Sequence, residues 1–231
     1  LIGVNSAGCG AMLKDYGHPY SAGDYETMSW RSYSCRTCEA TDRDRLYALY
    51  VNRFLAERPG RSSRILEIAP GAALGPFIRR QPEVEYRSAD LYAEGVDDVL
   101  DVQDMGIYAD SAYDLFICSH VLEHVDDDMQ VMRELRRILA AEGRGILMVP
   151  ILDIPGAMDE DPSVTDEAER WRRFGQFDHV RTYEKSVYLE RLSAAGFMVT
   201  QLGWRDFGRQ AFARNGIHRR SVLYVVSQAR Q

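Results

Sequence analysis

Residues 64–75 read RILEIAPGAALG. The apolar run Ile65–Ile68, broken only by Glu67, has the composition of a buried strand. The small residues Ala69, Gly71, Ala72 and Ala73 follow as a turn. LGPFIRR then reads as a short helix, with Pro76 tolerated in its first turn. A helix start reached through small residues presents unpaired backbone donors that a ligand can approach closely. Ala69, Gly71 and Ala73 occupy the alternate positions where a glycine-rich loop has glycine, and the dinucleotide fingerprint G-x-G-x-x-G is absent. On its own this loop is either a cofactor cradle or a tight packing turn.

Strands and helices alternate on both sides of it. TDRDRLYALYVNRFLAER (41–58) reads as a helix capped by Thr41, with acids at its positive end. VEYRSAD (84–90) is strand-like, VDDVLDV (96–102) holds a second short strand, and YDLFICS (113–119) is a continuous apolar strand of the kind found inside a parallel sheet. DDDMQVMRELRRILAAEG (126–143) predicts a helix stopped by Gly143. RGILMVP (144–150) predicts a strand, and KSVYLERLSAAG (185–196) a helix closed by Gly196. MVTQLGW and SVLYVVSQ are the final strands, with no helix expected between them, so the last should return antiparallel. The pattern predicts an α/β fold: a Rossmann-like, doubly wound sheet, mostly parallel with an antiparallel last strand. Residues 1–40 form a small, irregular, cysteine-containing segment ahead of a main domain at 41–231. Residues 151–182 break the rhythm and predict a lid beside a strand's carboxyl end, where open α/β sheets bind ligands.

The 231 residues are 45% hydrophobic and 27% charged, which excludes disordered and collagen-like classes and allows a real core. No apolar run approaches the roughly 18–20 residues that span a bilayer, so a soluble, cytoplasmic chain is expected, with no membrane partner. No secretory signal is seen, although Leu1 in place of Met leaves the true start open. The net charge of −7 and the scattered arginine pairs argue against nucleic acid as a partner. Cys118 sits in an apolar run and reads as an inert core thiol.

Beyond the loop, chemistry-bearing residues recur at successive strand ends. Asp90, about twenty residues after the turn, can accept from ribose hydroxyls as the acid of dinucleotide folds does. Asp101 ends the third strand, and Ser119 and His120 follow the fourth. Packing alone does not account for such an ordered set. The stretches RILEIAPG, SADLY, LDVQDM, YDLFICSHVLEHVDDD and MRELRRILAAEGRGILMVP resemble the successive motifs of class I S-adenosylmethionine-dependent methyltransferases, over roughly residues 62–205. IAPG together with EDPSVTDEAERWRRFGQFDHVRTY resembles a bacterial subgroup of that family with an alanine-proline in the cofactor loop, which often carries an amino-terminal, zinc-ribbon-like element. Of the usual loop glycines the chain keeps only Gly71.

The resemblance implies S-adenosylmethionine as cofactor. Glu67, Ala69, Pro70 and Gly71 would face its methionine part, and Asp90 its ribose, with Leu91 packed on the adenine. Asp101 and Val102 would read the adenine edge, and Ser119 and His120 would lie beside the sulfonium. A general base is needed only for an acceptor that keeps its proton at neutral pH; His120, His124 and His179 are the candidates, His124 being also readable as a turn or cap residue. Within the lid, Gln176, Asp178, Arg181 and Tyr183 are expected to orient the acceptor, and Trp171, Phe174 and Phe177 to wall the pocket or anchor the lid.

Cys35-Arg-Thr-Cys38 is a C-x-x-C, and Cys9 resembles half of another, with Ser6 where its partner would stand. Either Cys9, Cys35 and Cys38 hold a structural zinc with a substitute ligand such as His18, or the knuckle binds none. Residues 10–34, with Tyr16, His18, Tyr20, Tyr25 and Trp30, alternatively fold over the pocket. The expected activity is methyl transfer to an oxygen or nitrogen, with carbon open, of a small-molecule acceptor. Two further readings stand beside it: a cofactor-binding cyclase or scaffold that transfers no methyl, and a zinc-ribbon adaptor. An NAD-dependent enzyme is disfavoured by the missing glycines.

Overall fold

The computed structural model describes residues 6–27, 29 and 32–229, with the side chains of residues 6–10 outside that description. In chain order its helices are α1 (Ser6–Asp15), α2 (Asp42–Ala56), α3 (Leu74–Ile78), α4 (Asp128–Ile138), α5 (Glu167–Phe174), α6 (Lys185–Ala194), α7 (Trp204–Phe207) and α8 (Arg209–Arg214). The strands are β1 (Ser63–Ile68), β2 (Val84–Asp90), β3 (Asp98–Val99), β4 (Tyr113–Ser119), β5 (Leu139–Met148), β6 (Ile151–Leu152), β7 (Asp159–Glu160), β8 (Arg181–Glu184), β9 (Phe197–Leu202) and β10 (Leu223–Gln228). Among the described residues, seven of these strands make one sheet in the order β3-β2-β1-β4-β5-β10-β9.

The centre of the sheet follows from its apolar runs. β1 lies parallel to β2 and β4, pairing Ile65 with Tyr86 and Leu115, and Ile68 with Ala89 and Cys118. Leu66, Ile65, Phe116, Ile117 and Cys118 are buried on both faces of the sheet, and burial raises the Cys118 thiol far out of the reactive range. One face of α2, with Leu46, Tyr47, Val51 and Phe54, packs into this core, as do Val131, Met132, Leu135 and Ile138 of α4. Thr41 and Asp44 cap α2 reciprocally: Thr41 Oγ1 accepts from the Asp44 amide at 3.2 Å, and the Thr41 amide donates to Asp44 Oδ2 at 2.7 Å. At Gly145 a Cβ would sit 2.0 Å from Cζ of Phe116, so only glycine lets that ring lie against β5.

Three expectations are corrected. α4 ends at Ile138, not at Gly143, because Leu139 pairs with Tyr113 and the chain enters β5 there, across a register shift between Tyr113 and Leu115. Gly143 is not in the left-handed conformation of a helix stop, unlike Gly196 (φ 85°) after α6. Between β9 and β10 lie α7 and α8, each too short to show a helical period. β10 is nevertheless antiparallel to both its neighbours, β5 and β9.

The lid region is organised. β6, β8 and β7 form a small sheet in that order, with α5 against it. The amino-terminal segment reaches the same region: the Glu26 amide donates to the Ile151 carbonyl at 2.9 Å, Tyr25 bridges to Leu152, and Tyr16 stacks on Trp171. His18 is buried, with Nδ1 at 3.2 Å from the Arg172 carbonyl and Nε2 at 3.2 Å from the Tyr25 hydroxyl. Among the described residues no helix is long and apolar enough to cross a membrane.

Candidate functional site

Because β3, β2, β1 and β4 are neighbours, their carboxyl ends line up along one edge. Ala69 follows β1 directly, with its amide donating to the Ala89 carbonyl at 2.8 Å and its backbone at φ 50°. An alanine held in the left-handed region costs roughly 1–2 kcal/mol, so this turn is strained where a glycine would not be. Below it Glu67 is buried, and the Tyr86 hydroxyl donates to its Oε2 at 2.6 Å. Burial lifts the Glu67 carboxyl to about 7, against the bond from Tyr86. A Cβ on Gly75 would meet the Tyr86 hydroxyl at 2.6 Å, so Gly75 is what lets Tyr86 reach Glu67. The glycine that matters here therefore lies one helical turn beyond the expected motif.

A cavity of about 320 Å³ lies at this turn, lined by Glu67, Ala69, Gly71, Ser119 and His120 together with Arg43 and Tyr47 of α2. Ser119 Oγ and the Tyr47 hydroxyl are 2.7 Å apart. Pro70 is half-buried and does not line this cavity, and neither do Asp90, Leu91 and Asp101, which stand on the open edge beside it. Asp90 ends β2, and its Oδ1 accepts from the amides of Tyr92 and Ala93 at 2.7 and 2.8 Å. That leaves Oδ2 with no bond to these amides. Leu91 is exposed. Asp101 lies in the turn after the short β3, where its Oδ1 accepts from the Gln103 amide at 2.8 Å. The Val102 side chain is buried in the core, so only its backbone can face a ligand.

A second cavity, about 360 Å³, adjoins the first and shares Arg43 and His120 with it. The turn after β4 supplies His120, Glu123 and His124; the lid supplies Phe174, Gln176 and His179; the amino-terminal segment supplies Tyr25 and Tyr33. His120 sits at φ 58°, with its amide donating to the Met148 carbonyl at 2.9 Å. Its Nδ1 lies 3.0 Å from Oε1 of the buried Glu123. Burial, then the neighbouring Arg43, lowers the His120 pKa. Burial also opposes charge on Glu123, but the imidazoles of His120, His179 and His124 outweigh it and hold the carboxyl below the usual range. His179 is buried, with Nδ1 3.3 Å from the Phe174 carbonyl, and burial pushes its pKa down to about 4. His124 Nδ1 lies 3.4 Å from Asp178 Oδ2, while Gln176 Nε2 donates to Asp178 Oδ1 at 2.8 Å.

Two of the expected acceptor ligands have other work. Arg181 is fully buried: its Nε donates to Glu160 at 2.8 Å, and its remaining nitrogens donate to the carbonyls of Leu122, Val125 and Asp126. Tyr183 is equally buried and donates to Asp128 Oδ2 at 2.7 Å. Neither reaches either cavity; both tie the turn 122–128 to the lid. Their polar side chains looked available because the sequence does not reveal that β8 is an inner strand. The zinc expectation is not supported either. Cys35 is half-buried and Cys38 exposed, His18 is turned to the lid, and among the described residues no third ligand joins these two thiols. The Cys9 side chain and Trp30 lie outside the described residues.

Arg43, Tyr86 and Glu123 were missed in the sequence, whereas Tyr25, expected to fold over the pocket, lines the second cavity. Arg43 hides in a capping turn, Tyr86 in a strand, and Glu123 inside a motif whose histidines drew attention; only Gly75, an otherwise unneeded glycine inside a helix, was a usable signal. A larger cavity, about 520 Å³, lies at the amino-terminal edge of β1 between Arg58, Arg61, Glu142 and Arg144. Ligands of open α/β sheets bind at the opposite edge.

A family model described as a methyltransferase domain matches residues 40–202. The uncharacterised methyltransferase YcgJ of Bacillus subtilis (strain 168) is 25% identical over 158 residues, which is 62% of this chain and 58% of that protein. The chain thus spans little more than half the length of this curated relative. Among solved structures, the 1,6-didemethyltoxoflavin-N1-methyltransferase of Burkholderia thailandensis, solved with its substrate and S-adenosylhomocysteine, aligns at TM-score 0.52 and 15% identity, covering 82% of this chain and 80% of that one. The cyclase SpnF aligns at TM-score 0.54 and 15% identity, covering 100% of this chain and 98% of that one. At such identities the two structures share the fold, which therefore also includes a member named for cyclisation. The chain belongs to the family whose model is described as a methyltransferase domain.

Proposed function

We propose that the chain transfers the methyl group of S-adenosylmethionine to an oxygen or nitrogen, with carbon as the remaining option, of a small metabolite or natural product. The observation that carries this reading is the pair of adjoining cavities that share Arg43 and His120. One is walled by the strand-end turn of a methyltransferase sheet, the other by the lid. The donor side suits the cofactor's amino-acid end: Glu67 would supply a carboxylate for its ammonium and Arg43 a guanidinium for its carboxylate, both lining one cavity. Asp90 would hold the ribose through Oδ2, and Leu91, Asp101 and the Val102 backbone would hold the adenine on the open edge.

When bound, the cofactor supplies an activated methyl on a sulfonium. The protein's task is to align an acceptor with it and keep water out, an effect worth up to ~7–11 kcal/mol. Phe174, Tyr25 and Tyr33 wall the acceptor side, and Leu13, Ala22 and Thr27 of the amino-terminal segment line it as well. His120 stands at the boundary between the cavities. Its lowered pKa leaves it neutral at pH 7 and able to take a proton from the acceptor, a contribution typically of ~10²–10⁴-fold. His124, His179, Gln176 and Asp178 would orient the acceptor.

The test is a screen of small hydroxylated and amine compounds with S-adenosylmethionine, read by mass spectrometry for S-adenosylhomocysteine and a product heavier by one methylene. Turnover that falls roughly 10²-fold in His120→Ala supports the reading. Conversion of a compound without S-adenosylhomocysteine would instead indicate a cyclase-like or scaffold role, and no cofactor binding at all would remove both.

A further inference from the structure

The turn after β4 and the loop before β8 converge on one buried carboxylate. Glu123 is 0% exposed; His120 Nδ1 lies 3.0 Å from its Oε1, while its Oε2 has no hydrogen-bond partner. A buried carboxylate with unmet acceptor capacity is costly and calls for a cationic partner. Glu123, His124 and His179 each offer a ligand atom within 4.8 Å of the other two. The rings of His124 and His179 meet edge to face, with centroids 4.7 Å apart.

The surroundings of the two imidazoles are those of metal ligands. His179 Nδ1 lies at 3.3 Å from the Phe174 carbonyl, and His124 Nδ1 at 3.4 Å from the Asp178 carboxylate, itself held by Gln176. A ligating histidine characteristically gives its other ring N–H to a backbone carbonyl or a carboxylate. With Nδ1 so engaged, each ring has Nε2 left for a metal. The constellation is also fixed in advance. The Val180 amide donates to the Glu123 carbonyl at 2.9 Å, and the buried Arg181 grips the carbonyls of Leu122, Val125 and Asp126 on either side of it. Arg181 thereby anchors the backbone on either side of Glu123 and His124.

We infer that Glu123, His124 and His179 form a site for a divalent transition-metal cation in the wall of the acceptor cavity. Two imidazoles and a carboxylate suit zinc, iron(II), manganese(II) or cobalt(II). Three protein ligands leave open coordination positions, and these face the 360 Å³ cavity, where an oxygen of the acceptor would complete the shell. This deepens the proposed function: the acceptor class becomes one with a metal-binding oxygen, a hydroxyl with a neighbouring oxygen or nitrogen. The site is distinct from the Cys35 and Cys38 thiols.

The experiment is a cobalt(II) titration of the full chain after removal of metals with a chelator, followed by visible absorption, with S-adenosylmethionine affinity measured separately by calorimetry. The site predicts one cobalt per chain, d–d bands without a thiolate charge-transfer band, and the same spectrum in Cys35→Ser/Cys38→Ser. His179→Gln and Glu123→Gln should each weaken cobalt at least tenfold. Circular dichroism establishes that each variant is folded, and the conclusion is drawn from whichever one is. No stoichiometric cobalt binding, binding unchanged in a folded His179→Gln or Glu123→Gln, or binding lost only with the cysteines would overturn the site. Failure of the wild type to bind S-adenosylmethionine would instead remove the methyltransferase reading and leave the cobalt result standing.

Discussion

Replacing Glu67 with Gln should stabilise the ligand-free protein, and by an amount that depends on pH. The carboxyl is buried at the end of β1 with the Tyr86 hydroxyl as its bonded neighbour, and burial moves its pKa from 4.5 to about 7. Below about pH 4.5 the group is protonated in both folded and unfolded chains, and glutamine, its neutral isostere, should have nearly the same stability. Between about 4.5 and 7 the unfolded chain ionises while the folded one keeps its proton, so wild-type stability falls as pH rises. Above about 7 the loss is complete, and the displacement corresponds to about 3 kcal/mol at most. The assay is urea unfolding of both proteins from pH 4.5 to 8.5, taking the difference at each pH so that all other titrations cancel. The difference should be near zero at the acid end, grow by up to about 1.4 kcal/mol per pH unit, and level off near pH 7.5. A difference that stays flat across this range would show that Glu67 ionises normally and that the turn does not bury it.

Other perturbations separate the parts of the account. Ala69→Val should destabilise by roughly 1–2 kcal/mol beyond the strain alanine already carries, since a β-branched residue is poorly tolerated at φ 50°; Ala69→Gly should show no such loss in the same unfolding assay. Gly145→Ala places a methyl carbon 2.0 Å from the Phe116 ring and should cost about 1–3 kcal/mol, seen as a lowered urea midpoint with an unchanged slope. Arg181→Met removes a buried guanidinium, leaves Glu160 with Arg191 as its cation, and takes a donor from each of the carbonyls of Leu122, Val125 and Asp126. A loss of about 1–3 kcal/mol for each carbonyl left without a donor is expected, whereas an acceptor-binding role would have left stability unchanged.

The sheet was legible because its physics is local. Short apolar runs at 65–68 and 113–119, each interrupted by one acid and bounded by turn residues, read as inner strands, and the acids and small residues that close them stand out against that background. The carboxyl edge was legible for the same reason, since Asp90 and Ser119 are the last residues of their strands. The lid was not. β6 and β7 are two residues each, too short for any alternation, and Arg181 and Tyr183 carry side chains that look like ligands until the fold encloses them. The α4–β5 junction misled because Leu139 continues the helical stripe, yet it finds a better partner in Tyr113 across the sheet. The acceptor cavity depends on contacts between residues far apart in the chain. Val180 over Glu123, and His18 against Gly175, have no signature in either segment alone.

The central claim is that the carboxyl edge of β1, β2 and β4 grips one adenosyl sulfonium. Calorimetric titration of S-adenosylmethionine into the wild type and Asp90→Ala tests it most directly. Losing the ribose acceptor removes charge-assisted hydrogen bonds worth about 1.5–3 kcal/mol each, so the variant, shown to be folded by circular dichroism, should bind at least tenfold more weakly. Equal affinity in both proteins would contradict the placement of the ribose and, with it, the orientation of the cofactor on which the two-cavity account depends.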